Sequence, residues 1–205
     1  MAKLEVPPTK STLLALKRNL EFAQEGFDLL EQKRQILVYE LMSRLEAARR
    51  AQQAVDEALA PAFRALREAA LRSGTEAMGR EALAVAAQHR IEVTTRSVMG
   101  LSLPMVRVEH EAPKPEFSVA GGTALSDEVM RRFTEALEAV ARLAEVENAV
   151  LRLASEVRKT QRRVNALEKI FIPDHKETIA YIEGVLEERE REEFVIMKRA
   201  KSQRA

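Results

Sequence analysis

The chain has 205 residues, 32% charged and only 4% aromatic, with no Cys and no Trp. A thick globular core of this length would bury several large aromatics, so the composition favours long, thin helical packing, and the missing Cys excludes a disulfide framework and thiolate chemistry. Lys and Arg total 33 against 32 for Asp and Glu, a formal charge of +1, so no global field draws the chain to nucleic acid or anionic lipid.

The opening residues, Met1 to Pro8, lack the apolar core of a signal peptide, and no stretch approaches the roughly 20 uncharged residues that cross a bilayer. The expected setting is cytoplasmic, with no direct membrane insertion, although the chain is free to sit on a membrane complex. From Thr9 to about Arg72 apolar residues recur at alternating steps of three and four: Leu13, Leu16, Leu20, Ala23, Phe27, Leu30, then Leu37 and Leu41 after Arg34 takes one position. This is a heptad seam on one long helix, on the order of 95 Å at 1.5 Å per residue. Beyond Leu41 the same phase lands on Arg44, whereas Leu45, Ala48, Val55, Leu59 and Leu66 fit if four residues are inserted, so a stutter is predicted there. Pro61 predicts a kink or break near Ala60.

Between residues 73 and 122 the Gly and Pro content rises. A short Ala-rich helix around Glu81 to Gln88 is followed by Ile91 to Thr95 and Met105 to Glu109, which alternate apolar with polar around Gly100 and predict a β-hairpin. Pro113, Pro115 and Gly121-Gly122 mark an irregular return. A second long helix is predicted from about Ser126, whose hydroxyl is placed to cap the first turn, with a stripe through Val129, Phe133, Leu137, Val140, Leu143, Val150, Val157, Val164 and Leu167. Pro173 predicts an interruption, with Asp174 and Glu177 as a new cap, and Ile179, Ile182, Leu186 and, less regularly, Phe194 and Met197 carry the apolar edge onward.

The predicted fold is therefore mainly α: two very long helices forming an antiparallel left-handed coiled coil, with a small central foot containing a short helix and a β-hairpin. Its parts are an N-terminal coiled-coil helix (1–72), the foot (73–122) and a C-terminal coiled-coil helix with a break near Pro173 (123–205). The C-terminal arm is the longer, so its end is expected to project past the N-terminus by roughly 15 Å or more.

Catalytic motifs fail on their chemistry. Gly74 to Glu81 has the glycine spacing of a phosphate loop, but Arg80 and Glu81 stand where Lys and a magnesium-binding Ser or Thr are needed, and the preceding sequence is helical. His89, His110 and His175 are scattered, with no metal-ligand spacing. No Gly-x-Ser-x-Gly elbow occurs, so no catalytic residue, cofactor or metal is predicted. The basic run Arg158 to Arg163 reads either as the solvated flank of a seam containing Val157 and Val164, or as a basic ring facing acidic loops of a surrounding partner. Nucleic acid is disfavoured, because the aromatic platforms that accompany such binding are missing. The mixed-sign stretch Glu187 to Glu193 reads as an exposed, self-supporting helix face.

Two runs carry a family resemblance. Pro8-Thr9-Lys10-Ser11 with Leu13, Leu16-Lys17, Leu20 and Ala23, then Gly26, Leu29-Leu30 and Lys33-Arg34, resembles the opening of the D subunit of the V/A-type rotary ATPases. Glu156, Lys159-Thr160, Arg162-Arg163-Val164-Asn165-Ala166-Leu167-Glu168, then Ile172-Pro173, Thr178-Ile179, Ile182 and Leu186 to Phe194 resembles the family's C-terminal part more specifically. Val98 to Pro104 is similar to its hydrophobic Gly and Pro segment, with Met99 where a small residue is common. The resemblance implies a non-catalytic rotor shaft standing in a hexamer of catalytic and non-catalytic subunits. It also implies that the F subunit binds lower on the shaft and that the shaft docks into the funnel-shaped C (or d) subunit above the membrane ring. ATP would bind the hexamer, and rotation would couple hydrolysis or synthesis to proton or sodium movement. The surface such a shaft presents to partners is drawn from Lys10, Lys17, Lys159, Arg162, Arg163, Asn165, Phe194 and Lys198. The competing readings are an independent coiled-coil scaffold or chaperone and a basic-helix nucleic-acid binder.

Overall fold

A computed structural model describes residues 6–84, 89–110 and 123–202, and the side chains of Ala84, His89 and His110 lie outside the description. The elements in chain order are α1 (Lys10–Ser73), α2 (Thr75–Ala84), β1 (His89–Val98), β2 (Leu101–His110), α3 (Ala124–Ala166), a π-helical segment (Leu167–Phe171) and α4 (Ile172–Ser202). The fold is mainly α with one antiparallel hairpin, as the sequence predicts. The short helix predicted at Glu81 to Gln88 runs instead from Thr75 to Ala84; residues 85–88 lie outside the described residues, as does the return predicted around Pro113, Pro115 and Gly121-Gly122.

Helix α1 starts where Thr9 supplies a cap. Its hydroxyl accepts from the Thr12 N–H at 3.2 Å, satisfying an otherwise orphaned donor, and its carbonyl accepts the first helical bond from the Leu13 N–H at 3.0 Å. It stops at Gly74, whose φ of 83° is the left-handed conformation that ends helices; the Gly74 N–H bonds the Ala70 carbonyl at 3.0 Å. Pro61 lies inside α1, which continues as helix on both sides of it, so the helix does not break near Ala60.

The stutter predicted after Leu41 is absent. Leu13, Leu20, Phe27, Arg34, Leu41, Ala48, Val55, Ala62 and Ala69 are all buried or half-buried, and so are Leu16, Ala23, Leu30, Leu37, Arg44, Ala51, Ala58 and Ala65. These two series are seven apart throughout, so the heptad runs unbroken from Leu13 to Ala69. Arg44 holds its seam place, its guanidinium paired with Glu40 one turn earlier, while Leu45 points outward at 38% exposure. The large apolar residues mislead here because the inward positions beyond Leu41 are mostly alanine.

The chain divides into two compact units, Met1–Ile36 with Glu156–Ala205, and Leu37–Ser155. In the first, α1 pairs with the end of α3 and with α4. The partners Lys10 with Glu190, Lys17 with Glu183 and Lys33 with Glu156 descend along one arm as they rise along the other, which makes the pair antiparallel. Its core is Leu16, Ile179 and Ile182, with Val6, Leu13, Leu20 and Leu186 packed against them. In the second unit the seam is lined by small residues, Ala62, Ala69, Ala136 and Ala149, with Leu153 fully buried and Phe63 meeting Phe133 edge to face at 5.4 Å.

Helix α3 begins at Ala124, two residues before Ser126, so Ser126 is not the cap. Thr123 takes that place: its carbonyl accepts from the Ser126 N–H at 2.9 Å. Ser126, 6% exposed, turns its hydroxyl to Glu81 on α2. The interruption predicted at Pro173 takes the form of a π turn just before it, in which the Ile172 N–H reaches the Leu167 carbonyl. Pro173 has no N–H, and its ring crowds the carbonyl four residues back; a wider turn ahead of it relieves that crowding. Ile172 is itself helical, with φ −64° and ψ −47°, so Asp174 caps nothing and lies within continuous helix.

The hairpin closes through Met99-Gly100, with Val98 opposite Leu101. Both turn residues have positive φ, 53° and 79°, the pattern of a type I′ turn, whose twist matches that of the strands.

Candidate interaction surfaces

Two of the residues proposed for an outer surface are committed within the chain. Lys10 Nζ meets Glu190 at 2.7 Å and Lys17 Nζ meets Glu183 at 2.6 Å, each pair one heptad from the other on both helices. The hydrogen bond and charge of Glu190 raise the Lys10 ammonium above its ordinary value, and Lys10 lowers Glu190 in return. Arg189 donates to the Pro8 carbonyl at 3.2 Å alongside them. Signals for this clasp were present in the sequence, since 10 to 17 and 183 to 190 are both steps of seven, but without the helix register they name no pair.

Asn165 is likewise internal. Arg34 Nη1 donates to the Gln161 carbonyl oxygen at 3.0 Å, and the Gln161 amide donates to Asn165 Oδ1 at 2.8 Å. Arg34 also pairs with Glu31, whose carboxyl is held below its usual range chiefly by that hydrogen bond. Arg34 thus occupies a seam position by bonding laterally to one helix and across to the other. Lys33 reaches Glu156 at 3.1 Å beside it.

The remaining candidates are outward. Lys159, Arg162 and Arg163 are exposed on the last turns of α3, next to buried Thr160 and Val164, so the basic run flanks the seam as its spacing implies. Phe194 and Lys198 stand four apart on α4, where every residue from Glu187 to Ser202 is exposed. Twelve of these lie beyond Glu190, the partner of Lys10, about 18 Å of helix. Val195, Ile196 and Met197 are 47–65% exposed there; the sequence places Met197 on an apolar edge with Phe194, but Val195 and Ile196 carry no signal in that reading. Phe22, Leu29 and Ile36, exposed at 77%, 67% and 49% and seven apart on α1, form a further apolar row that the sequence reading did not join.

In the second unit α3 holds the hairpin by its backbone. Glu145 accepts from the Val106 N–H at 2.9 Å, and Arg152, one heptad on, donates to the Ser102 carbonyl at 2.5 Å. Between one face of the hairpin and α3 lies a groove of about 430 Å³, walled by Ile91 and Val93 of β1, Pro104 and Val106 of β2, and Leu137 and Val140 of α3.

Among the described residues no cluster of His, Asp and Glu has the geometry to hold a metal ion. Gly74 ends α1, and Glu81, at the position where a phosphate loop needs a hydroxyl, is bonded to Ser126. His175 donates from Nδ1 to the Phe171 carbonyl at 2.8 Å, beside the π turn. Among the described residues no helix is long and apolar enough to cross a membrane.

Residues 12–202 match the family model of the ATP synthase D subunit. The chain is 39% identical over 198 residues to a V-type ATP synthase D subunit of Thermotoga neapolitana, covering 97% of this chain and 98% of that one. It is 38% identical over 202 residues to an A-type ATP synthase D subunit of Thermococcus kodakarensis, covering 97% and 94%. Against the A-type D subunit of Methanopyrus kandleri the identity is 37%, covering 96% and 86%.

Proposed function

Because the chain belongs to the family of ATP synthase D subunits, we propose that it is the non-catalytic central shaft of a V/A-type rotary ATPase. It turns inside the catalytic hexamer and couples ATP hydrolysis or synthesis to ion movement through the membrane ring. The observation that carries this reading is the match over residues 12–202, which takes in both arms of the antiparallel pair as well as the hairpin.

The physics of the chain supports it. A shaft has to resist bending and twisting, which two packed helices do better than one. The clasp of Lys10 and Lys17 with Glu190 and Glu183 opposes sliding of one helix along the other. Beyond it, the exposed Phe194 to Lys198 segment and the basic Lys159, Arg162 and Arg163 form the surfaces offered to the hexamer, where exchangeable polar contacts and long side-chain stems permit slip. The F subunit and the funnel-shaped C (or d) subunit are the further partners, engaged by the second unit.

Assembly tests this directly. The chain should co-purify with the ATPase subunits, and the double reversal Arg162→Glu with Arg163→Glu should weaken association with the hexamer several-fold. Unchanged assembly, ATPase rate and torque would remove both arginines from the surface. An independent coiled-coil scaffold, the second reading from sequence, would bind none of these subunits.

A further inference from the structure

The two edges of the hairpin are treated differently. The register pairs Val93 with Val106, Thr95 with Pro104 and Ser97 with Ser102, and the outward Val106 N–H is taken by Glu145. These are therefore the non-hydrogen-bonded pairs, whose N–H and C=O groups point away from the hairpin. On β2 that outer edge is partly taken: Glu145 takes one donor, Pro104 has none to offer, and Arg152 takes the Ser102 carbonyl. On β1 the matching groups belong to Ile91, Val93, Thr95 and Ser97, and every residue from Arg90 to Ser97 is exposed. Natural proteins block open edges, and among the described residues groups of α3 meet one edge and none is seen to meet the other.

We infer that β1 is a docking edge for an extended segment of a partner subunit, which adds as a third strand and sends alternate apolar side chains into the groove against Leu137 and Val140. The groove lies on the same face as Ile91 and Val93, which remain 54% and 62% exposed beside it. A third strand would place every second side chain there. On the opposite face charge defines the partner further. Arg90 stands across from Glu109 and Glu92 from Arg107, but Arg96 stands across from Leu103 and has no cross-strand carboxylate. The segment that fits carries Asp or Glu beside Arg96 and apolar residues at the neighbouring positions.

A second copy of the chain fits less well. Pairing β1 with itself about Thr94 would match Glu92 with Arg96, but it would set Ser97 and Thr95 opposite Ile91 and Val93, where the groove calls for apolar side chains. The inference rests on assembly of the chain into the ATP synthase; a chain that fails to assemble counts against that reading, and one that assembles with a bare edge counts against this one.

The test is amide hydrogen exchange on the full chain, free and in the purified complex, with a photo-reactive residue at Thr95 in a parallel sample. The Ile91, Val93 and Ser97 amides should exchange at least tenfold more slowly in the complex, and the cross-link should map to an extended segment of another subunit. Val93→Pro removes an outward donor and spares the β1–β2 ladder, so it should cut the cross-link at least fivefold while the Glu92 and Thr94 amides stay protected. Val93→Ala keeps the donor and should retain most of the cross-link. Unchanged exchange at these amides in the assembled complex, indifference of the cross-link to Val93→Pro, or a cross-link to a second copy of this chain would each overturn the proposal.

Discussion

At the scale of single residues the turn at Met99-Gly100 shows how backbone conformation overrides preference. A type I′ turn needs positive φ at both positions; Gly100 meets this freely, whereas Met99, with φ of 53°, bears the cost of a Cβ in the left-handed region. Met99→Asn should stabilise the hairpin by about 0.5–1 kcal/mol, and Gly100→Ala should destabilise it by about 1 kcal/mol or more. Exchange rates of the inward β1 amides would read both. The position of the turn was legible from Gly100 and the alternation around it, but the strain at Met99 appears only once the turn is seen to be two residues long.

The Lys10–Glu190 pair makes a second prediction at this scale. Glu190 is lowered from 4.5, so its contribution is present above that value and is lost as pH falls through the folded-state pKa. Lys10 is raised from 10.5, so its contribution is present below that value and is lost as pH rises through the folded-state pKa. At neutral pH both are in place. A Lys10→Met variant should therefore unfold at a lower temperature than the parent at pH 7, with the difference shrinking below about pH 4.5.

At the scale of elements the heptad decides. The hairpin and both arms were readable from periodicity, whereas the phase beyond Leu41 was not, because Ala51, Ala58, Ala62, Ala65 and Ala69 carry the seam without standing out as apolar. The unbroken register predicts that Arg44→Leu, at a seam position, raises stability by about 1 kcal/mol, while Leu45→Glu stays within about 0.5 kcal/mol of the parent. Denaturant midpoints of the two variants would decide the phase, and the reverse ranking would restore the stutter. The π turn before Pro173 was half legible: the proline announced an interruption, but the backbone absorbs it ahead of the ring and continues as helix. The cap at Thr123 was misplaced to Ser126 because both are hydroxyl residues three apart, and the burial of Ser126 against Glu81 depends on a tertiary contact.

At the scale of the whole molecule the candidate surface divided by where each cation found a carboxylate. Lys10 and Lys17 looked like free surface charges until the antiparallel register set Glu190 and Glu183 beside them; Lys159, Arg162 and Arg163 stayed outward because the seam residues Thr160 and Val164 fix the helix face. The family resemblance was readable from motif runs at both ends of the chain, whereas the edge of β1 and the hold of Glu145 and Arg152 on β2 depend on strand register. The central claim is rotation. The catalytic hexamer should be assembled with this chain and fixed to a surface, with a bead on the hairpin, and observed during ATP hydrolysis. The account predicts unidirectional rotation of the bead that stops when ATP is removed, and a correctly assembled, ATP-hydrolysing complex in which the bead does not turn would contradict it.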